Sequence, residues 1–125
     1  MPNPFVHVEL QTRDLPKAKE FYARLFDWKL QDLSMQGGGS YTMIDFGGGT
    51  GGGMVASPDP NAPPSWMAYV GVDDVRAMTE KARRLGATIC LDVTEVGDFG
   101  WMSVFTDPTG APLALWQPKN PQKQG

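Results

Sequence analysis

Two stretches sixty residues apart carry the same instruction: an alternating strand, then an aspartate, then the start of a helix. The first is Phe5-Val6-His7-Val8-Glu9-Leu10-Gln11-Thr12-Arg13-Asp14. Alternation sends Val6, Val8 and Leu10 to one face and Phe5, His7, Glu9 and Gln11 to the other, the pattern of a strand with one face on an apolar core. Asp14 is placed to cap a helix opening at Leu15-Pro16, because its carboxylate can accept the first orphan backbone N–H groups. The second stretch, Met67-Ala68-Tyr69-Val70-Gly71-Val72-Asp73-Asp74-Val75, repeats strand, capping aspartate and helix start. Such a chain is one module used twice.

The rest of each half follows the same order. Leu15, Ala18, Phe21, Tyr22 and Leu25 recur at helical spacing, predicting an amphipathic helix of about three turns. Strands are expected at Trp28 to Leu33 and at Tyr41 to Phe46, with Gly37-Gly38-Gly39-Ser40 turning between them, and a short one around Met54 to Ala56. Ser57 to Pro64 holds four prolines, which suit neither a helix interior nor a central strand. In the second half a strand at Trp66 to Val72 precedes a helix with Val75, Met78, Ala82 and Leu85 on one face, stopped at Gly86. Strands near Thr88 to Val93, Trp101 to Phe105 and Leu113 to Gln117 complete it, with turns at Gly97 to Gly100 and Asp107 to Gly110.

Asp14 and Asp74, Leu25 and Leu85, Tyr41 and Trp101, and Pro58 and Pro118 all match at an offset of 60. The expected fold is α+β: two β-α-β-β-β modules forming one curved, mostly antiparallel sheet, helices on the convex face and an open cleft on the concave one. Module one takes residues 4–57, a linker 58–64, module two 65–118 and a frayed polar tail 119–125.

Composition removes several classes of function. The net charge of −3 with interleaved signs offers no clustered basic stripe for a phosphate backbone, so no nucleic-acid partner is expected. Cys90 is the single cysteine, which excludes an internal disulfide framework and a thiolate metal cage and fits a reducing compartment. It falls in a strand, as packing. No apolar run reaches the ~20 residues that span a bilayer, and the first strand follows Met1 too closely for a signal peptide. A soluble cytoplasmic protein with no membrane partner is expected.

The residues resemble the vicinal-oxygen-chelate superfamily, also called the glyoxalase/bleomycin-resistance/dioxygenase family. The resemblance rests on His7-Val8-Glu9-Leu10 before Asp14-Leu15, on Phe21-Tyr22 before Leu25-Phe26-Asp27-Trp28, and on Asp107-Pro108-Thr109-Gly110-Ala111-Pro112 before the last strand. It covers roughly Phe5 to Pro118 and implies a homodimer. The scaffold hosts lyases, epimerases, dioxygenases and drug-binding proteins, so the fold does not choose among them. In metal-dependent members the ligands come from the inner faces of the first and fourth strands of each module. The resemblance places these positions at His7, near Met54, at Met67 and at Ala114. Only His7 is a donor suited to a borderline or hard ion. No cofactor is expected on this ground.

His7 is the only histidine. It can serve as a ligand, an acid/base or a hydrogen-bond donor to a bound molecule, or simply as a satisfied side chain on a cleft wall. Glu9, two residues on, shares its face, and a His/Glu pair suits either proton transfer or a structural hydrogen bond. Met54, Met67, Tyr69, Trp101 and Trp116 are also expected on the inner face, where thioethers and flat rings suit an apolar or planar ligand. They could equally fill the cleft themselves. Gly47 to Gly52 spells G-x-G-x-x-G, but a proline linker rather than a helix follows, so the phosphate cradle is incomplete; a mobile glycine loop is expected there.

These readings lead to a small-molecule-binding protein of glyoxalase/bleomycin-resistance type that works without a metal. Catalysis is left open. One alternative is a metal-dependent lyase or isomerase with a divalent ion on His7 and on donors such as Glu9 or Asp45. A second is a protein-interaction module.

Overall fold

The computed structural model describes residues 3–34, 40–45, 47, 49–57, 59 and 61–119. Among them run ten elements: β1 (Phe5–Thr12), α1 (Leu15–Phe26), β2 (Lys29–Ser34), β3 (Ser40–Asp45), β4 (Gly51–Ala56), β5 (Ser65–Gly71), α2 (Val75–Arg84), β6 (Thr88–Val96), β7 (Gly100–Thr106) and β8 (Pro112–Pro118). The fold is α+β, two β-α-β-β-β sets in succession, as the repeat implies. The expected turn at 37–39, Phe46 at the end of the third strand, Pro58 and Pro60 of the linker and the tail beyond 119 lie outside the described residues. Two compact units result. One is His7–Met67; the other comprises the chain up to Val6 and from Ala68 on.

In the His7–Met67 unit the strand order is β2-β3-β4-β1. β3 runs antiparallel to both β2 and β4, and β1 runs parallel to β4. Helix α1 starts where Asp14 accepts the Lys17 N–H at 3.1 Å, a cap that contributes about 1 kcal/mol. Pro16 falls in the first turn, where a missing N–H costs nothing. The helix ends on Asp27, whose φ of 57° is left-handed, a conformation that aspartate tolerates. Leu10, Ile44 and Met54 form the buried core, with Leu15, Ala18, Tyr22, Trp28 and Leu30 against it. Tyr22 is the hub of an aromatic cluster, 5.9 Å from Trp28 and 5.4 Å from Trp66 between ring centroids.

The second unit is built alike, with order β5-β8-β7-β6, β5 parallel to β8 and the other two pairings antiparallel. Asp74 caps α2 by accepting the Ala77 N–H at 3.1 Å, and Gly86 follows at φ 104°, in the left-handed conformation that ends a helix. Val72, Val75 and Leu115 form its core with Val70, Met78, Val93, Trp101 and Phe105. The start of the chain belongs here because the Gly71 N–H donates to the Pro4 carbonyl at 2.9 Å.

Several expectations are corrected. The run Gly51 to Gly53 is strand, paired with His7, Val8 and Glu9 of β1, so the expected loop does not extend over it; Gly48 of that loop lies outside the described residues. Phe21 and Leu25, assigned to the core face of α1, are more than half exposed, as is Leu85 after α2; in α2 Val75 and the unexpected Thr79 are fully buried. Cys90 is exposed rather than a core residue. Lys119 is held rather than frayed: its N–H donates to the Phe99 carbonyl at 2.9 Å and its ammonium meets Glu95 and the face of Trp101.

Candidate functional site

Because Leu10, Ile44 and Met54 point to α1, alternation puts His7, Glu9 and Gln11 of β1, Tyr41 and Met43 of β3, and Gly51 and Gly53 of β4 on the opposite face of the His7–Met67 unit. Register sets Gly51 beside His7, and Gly53 between Glu9 and Met43. β4 thus offers bare backbone flanked by polar side chains from β1 and by Met43 from β3. Neighbouring strands lie about 4.8 Å apart, so the strip between the β1 and β3 side chains is about 10 Å wide.

Tyr41 lies across that strip. Its hydroxyl is 2.6 Å from the His7 Nε2, and a Cβ on Gly53 would come within 2.2 Å of the phenolic oxygen and 2.4 Å of the ring carbons. The ring rests on the backbone of Gly53, and only glycine leaves room for it. Burial pushes the His7 imidazole below its ordinary pKa, while the Glu9 carboxylate pulls the other way. Glu9 itself is buried and accepts the Gln11 side-chain amide at 3.1 Å. A half-buried imidazole favoured in its neutral form, bonded to a phenol, can pass a hydrogen bond in either direction. Tyr41 had entered the sequence reading only as a marker of the repeat. Its alternation with Met43 and Asp45 puts it on a face, but only the β3–β4 register brings it to His7.

Two residues expected on this kind of face are on the other side. Met54 is fully buried against α1, and Gly53 is the strand-four residue facing away from the helix. Trp101 packs with Val72, Val75 and Leu115 on the α2 side; Met102 takes its place, opposite Trp116. The reason is one residue of offset. Glu9 pairs with Gly53 and Tyr69 with Ala114, so β4 and β8 correspond at 61 rather than 60, and a shift of one reverses every side chain. Tyr69 and Ala114 do share the face away from α2, with Trp116 half-buried beside them, while Met67 lies in the other unit; Met67, Tyr69 and Ala114 are buried.

At the positions that the resemblance assigns to metal ligands, His7 is the one nitrogen or oxygen side-chain donor. Met67 and Ala114 offer no nitrogen or oxygen side-chain donor, Gly53 offers none at all, and His7 Nε2 is engaged by Tyr41. Asp45 sits at the far end of β3 from Tyr41 and accepts the Gly47 N–H at 3.0 Å. Among the described residues no three His, Cys, Asp or Glu side chains gather where they could hold a metal.

Residues 5–115 match the family model described as the Glyoxalase/Bleomycin resistance protein/Dioxygenase superfamily. The chain belongs to that superfamily. It is 41% identical over 115 residues to "Putative glyoxylase CFP32" of Mycobacterium bovis, an alignment covering 88% of this chain and 44% of the relative. It is 27% identical over 127 residues to "Anthracycline biosynthesis protein DnrV" of Streptomyces peucetius, covering 87% of this chain and 45% of the relative. The chain therefore spans less than half the length of these curated relatives. Among solved structures, methylmalonyl-CoA epimerase from Mycobacterium tuberculosis superposes with a TM-score of 0.71 at 17% identity, over 97% of this chain and 91% of that one, a likeness of fold. No helix among the described residues is long and apolar enough to cross a membrane.

Proposed function

We propose that this superfamily member binds a small planar molecule on the glycine-floored face of the His7–Met67 unit, without a metal, with His7 and Glu9 supplying polarity. The observation that carries this reading is the donor set. Besides His7, the positions that the resemblance assigns to metal ligands are Met67, Ala114 and one near Met54, none of them with a nitrogen or oxygen side-chain donor, and the imidazole is bonded to a phenol at 2.6 Å. Flat peptide backbone at Gly51, the ring of Tyr41 lying over Gly53 and the flexible thioether of Met43 suit a planar apolar ligand. Two relatives carry names from anthracycline biosynthesis, and anthracyclines are planar polycyclic compounds. The same reading takes the chain as a homodimer, to be weighed by light scattering.

The single histidine makes the test direct. Its imidazole signals are followed by NMR while zinc, nickel or manganese is added to one sample and an anthraquinone to another. Saturable movement with the anthraquinone, and none with metals at stoichiometric concentration, supports the proposal. About one ion per chain, lost in His7→Ala, would replace it with a metal-dependent lyase or isomerase.

A further inference from the structure

Helix α1 carries an apolar patch and a charged stripe that ligand binding does not use. Phe21, Leu25 and Phe26 are more than half exposed, and Trp66, from the same compact unit, is 42% exposed. Tyr22 joins the rings into one patch, 5.0 Å from Phe21, 6.3 Å from Phe26 and 5.4 Å from Trp66 between centroids, and Leu25 stands one turn on from Phe21. At these exposures the four side chains leave roughly 400 Å² of apolar surface in water, about half of what one partner gives to a stable interface. Patches of that extent mark interaction sites. Beside Phe21 lie Lys17, Glu20, Arg24 and Asp27, all exposed. Their spacing of 3, 4 and 3 residues sets them along one side of the helix, and their signs alternate. Within one chain Glu20 and Arg24 meet only at 3.8 Å and stay mostly exposed. Reversed, the stripe is its own complement. A second α1 laid antiparallel about Tyr22 sets Lys17 against Asp27 and Glu20 against Arg24, each pair twice across the two-fold axis. A parallel one sets like against like. Self-complementarity is what an isologous interface requires, and an apolar centre with a polar rim is its usual anatomy.

We propose that the exposed side of α1 binds a second copy of this chain, the two helices antiparallel, with Phe21 and Leu25 at the centre and Lys17–Asp27 and Glu20–Arg24 pairs between chains at the rim. This rests on the homodimer taken above and names its surface.

The test measures self-association of the full chain by sedimentation over a range of concentrations, with the urea midpoint of each variant as a check on folding. Arg24→Glu sets two carboxylates against each other across the axis, and Glu20→Arg sets two guanidinium groups. Each is expected to weaken the dimer about tenfold or more. An equimolar mixture of the two variants is expected to regain wild-type association, because every carboxylate of one chain then meets a guanidinium of the other. A loss caused by damage within a single chain would not be repaired by mixing. Phe21→Ser is expected to sediment as a monomer. Wild type that stays monomeric would overturn both the homodimer and its surface. A wild-type dimer that persists unchanged in Arg24→Glu and Phe21→Ser, or a mixture that associates no better than its components, would overturn this surface and leave the homodimer standing. Should Phe21→Ser fail to fold, the mixing experiment decides alone.

Discussion

The Thr79 Oγ1 lies 2.8 Å from the Ser103 Oγ, joining α2 to β7 by two hydroxyls that are both essentially inaccessible to water. Thr79 also donates to the Val75 carbonyl at 2.6 Å. Its proton is therefore committed, and Ser103 is the donor between the two hydroxyls. Thr79→Val keeps the shape but leaves the Ser103 hydroxyl buried without its acceptor. The variant should lose about 1–3 kcal/mol, read as a lower urea midpoint with an unchanged slope. Adding Ser103→Ala should restore part of that loss, because the orphaned hydroxyl goes with it.

Met54 distinguishes the observed register from the one that the repeat suggests. Fully buried with Leu10 and Ile44 against α1, it should behave as core. Met54→Ala is expected to cost about 2–5 kcal/mol while the folded variant keeps the His7 imidazole signals of wild type. A residue on the ligand face would do the reverse. Urea unfolding together with one NMR spectrum separates these outcomes.

Much of the fold was legible because it rests on local chemistry. Asp14 and Asp74 cap their helices, Gly86 ends the second, and Val8 and Leu10 alternate with His7 and Glu9. The faces of the later strands were not legible. Gly51, Gly52 and Gly53 have no side chains to alternate, so nothing in the sequence separates the parity of Met54 from that of Gly53. The repeat then carried the error forward: Thr42 and Met54 pair in one unit and Ser103 and Leu115 in the other, an offset of 61. Bulges in β6, at Ile89/Leu91 and Leu91/Thr94, are register shifts that no residue type announces. His7 and Glu9 were found by alternation alone. Tyr41 was not, because its partnership with His7 depends on the pairing of β3 with β4.

His7 should make stability depend on pH near neutrality. Burial holds its pKa below the ordinary 6.5, against the opposing pull of Glu9. Between the folded value and 6.5 the unfolded chain takes up a proton that the folded chain refuses. Stability then rises with pH across that window, is fully present above it, and is lost as the pH falls through it. The urea midpoint of wild type should drop on acidification from neutrality, and His7→Gln should flatten that part of the profile. A midpoint that climbs on acidification in this window would reverse the sign.

Asp107 should act in a lower window. Its carboxylate accepts from the Thr109 hydroxyl at 2.6 Å, from the Thr109 N–H at 2.8 Å and from the Ala111 N–H at 3.1 Å. The Thr109 hydroxyl and then these backbone donors hold its pKa below the ordinary 3.8. The ionised form is the one bound by the turn, so its contribution is present above that value and fades as the pH falls through the folded one. The turn that it organises closes with the Asp107 N–H on the Ala111 carbonyl at 2.8 Å and places Gly110 at φ 98°, directly before β8 and its buried Ala114 and Leu115. Asp107→Ala removes the acceptor for both amides. Hydrogen exchange at Thr109 and Ala111 should quicken in the variant, while the Thr42 and Met54 amides in the other unit keep their protection. Exchange that quickens equally in both units would mean that the turn supports the whole chain and not the approach to β8 alone.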